Sequence, residues 1–341
     1  MKLVSEPNTP GNIAQANKLL AAAAGASTSV LGAAFAQDVE RQLHAVRNRT
    51  TSMQPGERPR GFNLWLNGEG AYHKLGADGL APGYTLTSWG GTLGMDMSVS
   101  SRTTVGLALS ALYGNLKTES ADNGRGDMDT TYATFFARTT QGAWMHTLLF
   151  SAGMADVTLE RTVSFGNYGY KTKGSTDGYA AGLLYELGYT TIMNAEGSFL
   201  LQSVFNVEFR HATINGYNET NSDAALTVDD ASYNTVTVGA GARVQAAVGG
   251  RVLNRTALLE ARALVKADAG DRSGKVENDF VNGNHAKREL ESAEIGAVGI
   301  ELGAGVTIPV GKRGSIFMDG SVELRSGYSS MDANVGYKLS F

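Results

Sequence analysis

The last eleven residues, Met331 to Phe341, alternate without a break to the final position. Met331, Ala333, Val335, Tyr337, Leu339 and Phe341 fall on one side, and Asp332, Asn334, Gly336, Lys338 and Ser340 on the other. Successive side chains of a strand point to opposite faces, so this run makes one apolar face and one polar face. A chain end in water usually frays, whereas this one closes on a bare aromatic. Such an ending is expected where the apolar face meets lipid and the aromatic sits at the bilayer interface.

The same period of two runs from Gly61 onward and predicts about twelve strands, at 62–73, 84–100, 103–118, 127–140, 143–160, 175–191, 198–212, 231–248, 255–268, 292–309, 315–326 and 328–341. Each is near or above the ~10 residues that a tilted membrane strand needs. In the 198–212 run, Phe199, Leu201, Phe205, Val207 and Phe209 oppose Gln202, Asn206, Glu208 and Arg210. Connections alternate in length: short at 100–102, 141–142, 194–197, 249–254 and 311–314, long at 74–83, 119–126, 161–174, 213–230 and 269–291. Short turns on one rim and long loops on the other are the plan of outer-membrane barrels. A soluble sandwich explains the alternation but neither the rim asymmetry nor strands of roughly 15–18 residues. The 43 glycines and only 6 prolines suit a long sheet, since proline cannot donate to a ladder. The expected fold is therefore an all-β transmembrane barrel of about 12 antiparallel strands over 61–341. No stretch approaches the roughly 20 apolar residues of a membrane helix. A slightly negative mean hydropathy follows when every second residue faces a wet lumen.

Residues 1–60 form a different unit. Met1–Gly11 carries two prolines and reads as an unstructured lead, and Asn12–Arg49 is rich in good helix formers with no proline. Gly25–Ser29 is expected to weaken or break that helix. An alternative reading takes Leu19–Ala36 as a signal peptide ending on Ala34-Phe35-Ala36, although Ser27, Thr28 and Ser29 interrupt its apolar run. In Ala36–Arg49, polar residues surround a thin stripe of Phe35, Val39, Leu43 and Val46. A helix so polar is solvated, or it sits in a charged, water-filled tube. The second reading threads it into the barrel lumen as a plug, with Thr50–Arg60 (Pro55, Gly56, Pro59) as the link. The lumen face of the strands carries matching charge, including Glu69, Asp96, Glu186, Arg210, Glu260, Arg262, Lys266, Glu301, Asp319, Arg325 and Lys338. Asp38, Glu40, Arg41 and Arg47 on the helix are expected to meet wall charges such as Glu208, Arg243 and Glu323.

Little else points to chemistry. With no Cys there is no disulfide framework or thiol catalysis. A net charge of −4 and the lack of a basic run speak against nucleic acid. The common hydrolase, zincin and P-loop signatures do not occur. His44, His73, His146, His211 and His285 lie far apart on different elements. No catalytic residue, metal ligand or cofactor is assigned, and the expectation is that the chain is not an enzyme. Arg125-Gly126-Asp127 is accounted for by turn chemistry.

The end of the chain also resembles the outer-membrane assembly signal: polar Asn334, then Gly336, hydrophobic Leu339 and terminal aromatic Phe341. A polar helix, a short link and twelve strands together resemble the translocator domain of type V autotransporters, over roughly Phe35–Phe341. Val39-Glu40-Arg41-Gln42-Leu43-His44-Ala45-Val46-Arg47 and Leu64-Trp65-Leu66-Asn67-Gly68-Glu69-Gly70 resemble that family's helix and first strand. The resemblance implies a monomeric barrel in the outer membrane of a Gram-negative bacterium, inserted by the barrel-assembly machinery and surrounded by outer-membrane lipid. It implies anchoring and export of a passenger domain in cis, a passenger this chain does not contain, so that the chain reads as a fragment or processed remnant. One branch of the family cleaves its helix between two adjacent Asn, and none occurs within Asn12–Arg49. The competing reading is an outer-membrane porin or small channel, which needs no helix ahead of its barrel.

Overall fold

The computed structural model describes residues 10–51, 61–165, 168–250, 255–282 and 287–341. Most of the expected lead, the link from position 52 on, the centre of the 249–254 turn and His285 lie outside these residues. Twelve strands close into one antiparallel barrel. They are β1 (Phe62–Leu75), β2 (Gly83–Ser98), β3 (Thr103–Glu119), β4 (Arg125–Gln141), β5 (Trp144–Phe165), β6 (Tyr168–Ile192) and β7 (Phe199–Ile214). After two short strands, β8 (Tyr217–Asn218) and β9 (Leu226–Val228), the wall continues with β10 (Ala231–Gly250) and β11 (Arg255–Gly270). Two more short strands, β12 (Lys275–Phe280) and β13 (Arg288–Glu291), precede β14 (Val298–Val310), β15 (Gly314–Arg325) and β16 (Tyr328–Ser340). Each wall strand pairs with its sequence neighbour in the wall, and β16 closes on β1 from Asn63 opposite Ser340 to Leu75 opposite Tyr328.

Alternation sets the two faces. On β7 the outward set Phe199, Leu201, Ser203, Phe205, Val207 and Phe209 spans ten residue steps, and no acid or base interrupts it. At ~3.3 Å per step that is roughly 33 Å along the strand, and about 25 Å along the axis at the ~40° tilt of such barrels. This is the height of a membrane barrel's apolar band. Aromatics flank it: Trp144 with Tyr189 (4.8 Å) and Phe62 with Phe341 (6.1 Å) at the short-turn rim, and Trp89 with Tyr113 (5.1 Å) towards the loop rim.

The long connections depart from the sequence reading. The expected 161–174 loop is mostly strand, because Thr162, Val163, Tyr168, Tyr170 and Thr172 are β-favouring residues that prolong the β5–β6 hairpin. Within 213–230 and 269–291, β8, β9, β12 and β13 form a second, four-stranded sheet, and Leu226, Val228 and Val276 are buried with it. The strand expected at 292–309 begins only at Val298. Residues 292–297 leave the ladder: the Ala293 and Ile295 amides donate to the Pro82 and Arg272 carbonyls (2.9 and 2.8 Å), which buries both apolar side chains at the loop rim.

The N-terminal helix is bent. It opens at Pro10, where a fixed φ and a missing N–H cost nothing, and α1 runs over Pro10–Ala24. Gly25 adopts φ +81°, a left-handed conformation that stops a helix. A 3₁₀ turn over Ala26–Val30 follows, then α2 (Leu31–Thr51), and the two arms meet at 65°. At ~1.5 Å per residue, the 21 residues of α2 extend about 31 Å, enough to pass through the membrane band. Residues 31–50 are all buried although half of them are polar. The helix is threaded into the lumen.

Candidate functional site: the helix in the pore

One side of α2 packs on a bare stretch of wall. Phe35, Val39, Leu43 and Val46 are fully buried, and β6 meets them with glycine. A Cβ on Gly182 would lie 2.6 Å from Leu43 Cδ1 and 2.9 Å from Val39 Cγ1, so this wall position needs glycine for the helix to approach. The stripe that resembled a solvated helix's weak core is thus a docking seam.

The remaining faces are polar and are met by charge. Asp38 accepts from Thr130 and Tyr132 on β4, both at 2.8 Å, and from Arg41 Nε at 3.1 Å. Arg41 Nη1 then reaches Glu69 on β1 at 2.8 Å. Glu40 binds Arg210 with one oxygen and Lys266 with the other. The two nitrogens of His44 face Glu208 at 3.0 Å and Glu301 at 3.8 Å. Arg47 donates to Glu301 at 2.6 Å and lies 4.0 Å from Glu186. Towards the short-turn rim, Asn48 donates to Asp319 at 2.6 Å. Arg49 lies 3.6 Å from Asp96, with its guanidinium over the Trp65 and Phe317 rings.

Behind these contacts the wall charges join one another. Arg210 also meets Glu208 and Asp268, and Arg325 ties Asp268 to Glu323. Lys266 bridges Glu40, Glu301 and Glu323. Arg262 joins Glu260, Glu301 and Asp319, while Arg243 joins Glu186 and Glu260. Each of these charges has at least one partner of opposite sign, the condition for burying it at all. Two small cavities lie beside the helix among the described residues: about 20 Å³ near Ala45 and Asn48, and about 10 Å³ near Glu40 and His44. Each has room for about one water.

A second grip holds the bend at the loop rim. Asp122 accepts from Ser27 N and Oγ at 3.2 and 2.8 Å. Asn278 donates to the Ala24 carbonyl at 2.8 Å and to Thr28 Oγ1 at 2.9 Å. Arg161, buried against Glu219 at 2.7 and 2.6 Å, donates to the Ala22 carbonyl at 3.0 Å. These three residues stand in connections and strand extensions, where no periodicity singles them out.

Of the helix residues expected to meet wall charges, Glu40, Arg41 and Arg47 form ion pairs with the wall, and Asp38 meets wall hydroxyls instead. Of the wall residues, Glu208 touches α2 directly through His44. Arg243 reaches α2 through Glu186, and Glu323 through Lys266. Glu301, Arg210, Lys266 and Glu69 make the direct contacts in their stead. In the final strand, Asn334 stands in register with both Glu69 and Asp319. A Cβ on Gly336 would fall 2.2 Å from Phe317 Cζ, so the Phe317 ring lies on it. Leu339 pairs opposite Leu64, and the Phe341 amide donates to the Phe62 carbonyl at 2.9 Å.

No curated protein matches the sequence significantly. Solved structures do match the fold. The translocator domain of the autotransporter NalP from Neisseria meningitidis aligns with a TM-score of 0.71 at 16% identity, covering 91% of this chain and 97% of that one. The β-domain of the Bordetella autotransporter BrkA aligns at 0.57 and 14% identity, covering 82% and 100%. The transport unit of AIDA-I from Escherichia coli aligns at 0.51 and 15% identity, covering 85% and 93%. At the level of sequence, the autotransporter β-domain family profile matches residues 64–321, about three quarters of the chain. The chain belongs to the autotransporter β-domain family.

Proposed function

We propose that this barrel anchors in the outer membrane of a Gram-negative bacterium and carries the chain upstream of its helix to the cell surface, with α2 left in the pore as a plug. The observation that carries this reading is the direction of α2. Its C-terminal end lies at the short-turn rim, where Arg138 holds the Thr50 carbonyl at 2.9 Å and where β1 begins. Its N-terminal end meets Asp122 and Asn278 among the loops. In outer-membrane barrels the long loops lie outside, so a segment preceding α1 emerges on the surface. The partners on this reading are a passenger in cis, outer-membrane lipid around the apolar band and the assembly machinery at the Asn334–Phe341 signal, with the barrel acting as a monomer.

A porin or small channel would use the same wall but needs an open lumen, and the buried, ion-paired helix along it weighs against that reading. The test is an epitope placed ahead of Pro10 in cells. The proposal expects protease added to intact cells to remove the epitope while the barrel stays in the membrane. An epitope protected until the outer membrane is permeabilised would reject it.

A further inference from the structure

We propose that Glu40, His44 and Glu208 form a binding site for one divalent transition-metal ion of the zinc class, which staples the pore helix to the barrel wall. Glu40 and His44 stand four residues apart on α2, one turn that sets two ligands side by side. Glu208 faces them from β7. One ligand atom from each residue lies within 4.8 Å of the other two, with His44 Nε2 4.0 Å from Glu40 Oε1 and 3.0 Å from Glu208 Oε2, and all three residues are buried. An imidazole with two carboxylates is a donor set for zinc, leaving a fourth position for water.

Two further observations point to a cation. The first is what stands behind the histidine. A metal-bound imidazole keeps its geometry by donating its other N–H to a carboxylate. Glu301 Oε2 lies 3.8 Å from His44 Nδ1, is buried, and has no hydrogen-bond partner. That oxygen stands 3.8 Å from Lys266 Nζ as well as from the nitrogen that a metal on Nε2 would leave to donate, so a small shift brings it into hydrogen-bond reach of the imidazole. The second is charge. Among the described residues, the connected network around His44 holds eight carboxylates against six Arg or Lys cations. A buried excess of two negative charges is costly, and a dication cancels it. The ligating form is neutral His44 with its proton on Nδ1 and the Nε2 lone pair on the metal, which is the charge state counted above; binding takes Glu40 Oε1 from Lys266, which keeps Glu323 at 2.5 Å and Glu301 at 3.8 Å.

The experiment uses the full chain refolded in detergent, freed of metal with a chelator and then exposed to zinc chloride, both during and after refolding. After desalting, the wild type should retain one zinc per chain and melt at a higher temperature than the chelated form. His44→Gln should bind at least ~10-fold more weakly and lose the zinc-dependent shift, by analogy with the effect of disturbing a metal's supporting shell. Glu208→Gln provides a second variant should His44→Gln fold poorly. His146→Gln, on the outward face, should behave as wild type. Cobalt supplied instead of zinc should give a visible d–d band that either lumen variant removes. Zinc retention that is absent in the wild type, or equal in the wild type and both lumen variants, overturns the proposal.

Discussion

Arg47→Met removes a charge from the helix while keeping much of the side chain's length. Arg47 is fully buried, donates to Glu301 at 2.6 Å and lies 4.0 Å from Glu186. Removing one member of a buried pair costs ~3–5 kcal/mol when the other charge is stranded. Here the stranding is incomplete: Glu301 keeps Arg262 at 3.0 Å and Lys266 at 3.8 Å, and Glu186 keeps Arg243 at 2.9 Å. The expected loss is therefore about 2–3 kcal/mol, below the full penalty. Glu301→Gln on its own leaves Arg47 and Arg262 short of one carboxylate, and the two changes together leave fewer charges unmatched than their separate costs imply. A double-mutant cycle should give a coupling of about 1–2 kcal/mol, within the range for residues in contact. Urea unfolding in detergent, followed by tryptophan fluorescence, measures all four proteins. Arg47→Met within ~0.5 kcal/mol of wild type, or a coupling of zero, would refute the view that these charges hold the helix.

Further predictions concern the wall. Val207 faces outward on β7, and Val207→Arg should destabilise by ~2–4 kcal/mol if it lies near the bilayer midplane; comparing refolding equilibria in lipid and in detergent would show whether the cost is lipid-specific, and equal costs in both would mean that the face is misassigned. Phe341→Asp removes the ring that stands 6.1 Å from Phe62 and should leave the barrel in the periplasm, read by fractionation and heat-modifiable migration. Normal outer-membrane levels would show that the terminal aromatic is not an assembly signal.

The wall was legible because its physics is local. Alternation along the Phe199–Phe209 run fixes which residues face lipid, and every wall strand was foreseeable from such runs. The cap was not. Leu226, Val228 and Val276 sit in strands of three and six residues, too short for a period to register. The break at Gly25–Ser29 was readable from composition, since glycine and hydroxyl residues disfavour helix interiors. Which wall charge meets which helix charge was not readable. Parity put Glu208, Arg243, Glu301 and Glu323 on the lumen face alike, but the rotation of α2 about its axis decides the contacts. That rotation is set by the Gly182 recess admitting Val39 and Leu43, a feature of three dimensions. It sends Arg47 to Glu301 and leaves Arg243 one residue removed. The partners of His44 are hidden for the same reason: they come from β7 and β14, 164 and 257 residues further along the chain.

A helix that fills the pore and is held there by charge must block ion flow. Single-channel conductance of the full chain in planar bilayers, against a variant lacking residues 1–53, tests it most directly. The full chain should show small, rare openings, and the shortened barrel a stable, larger conductance. Raising the salt should increase opening of the full chain only where water already reaches the ion pairs, since buried pairs are poorly screened. Identical conductance with and without the helix would contradict the account and place the barrier in the outer loops instead.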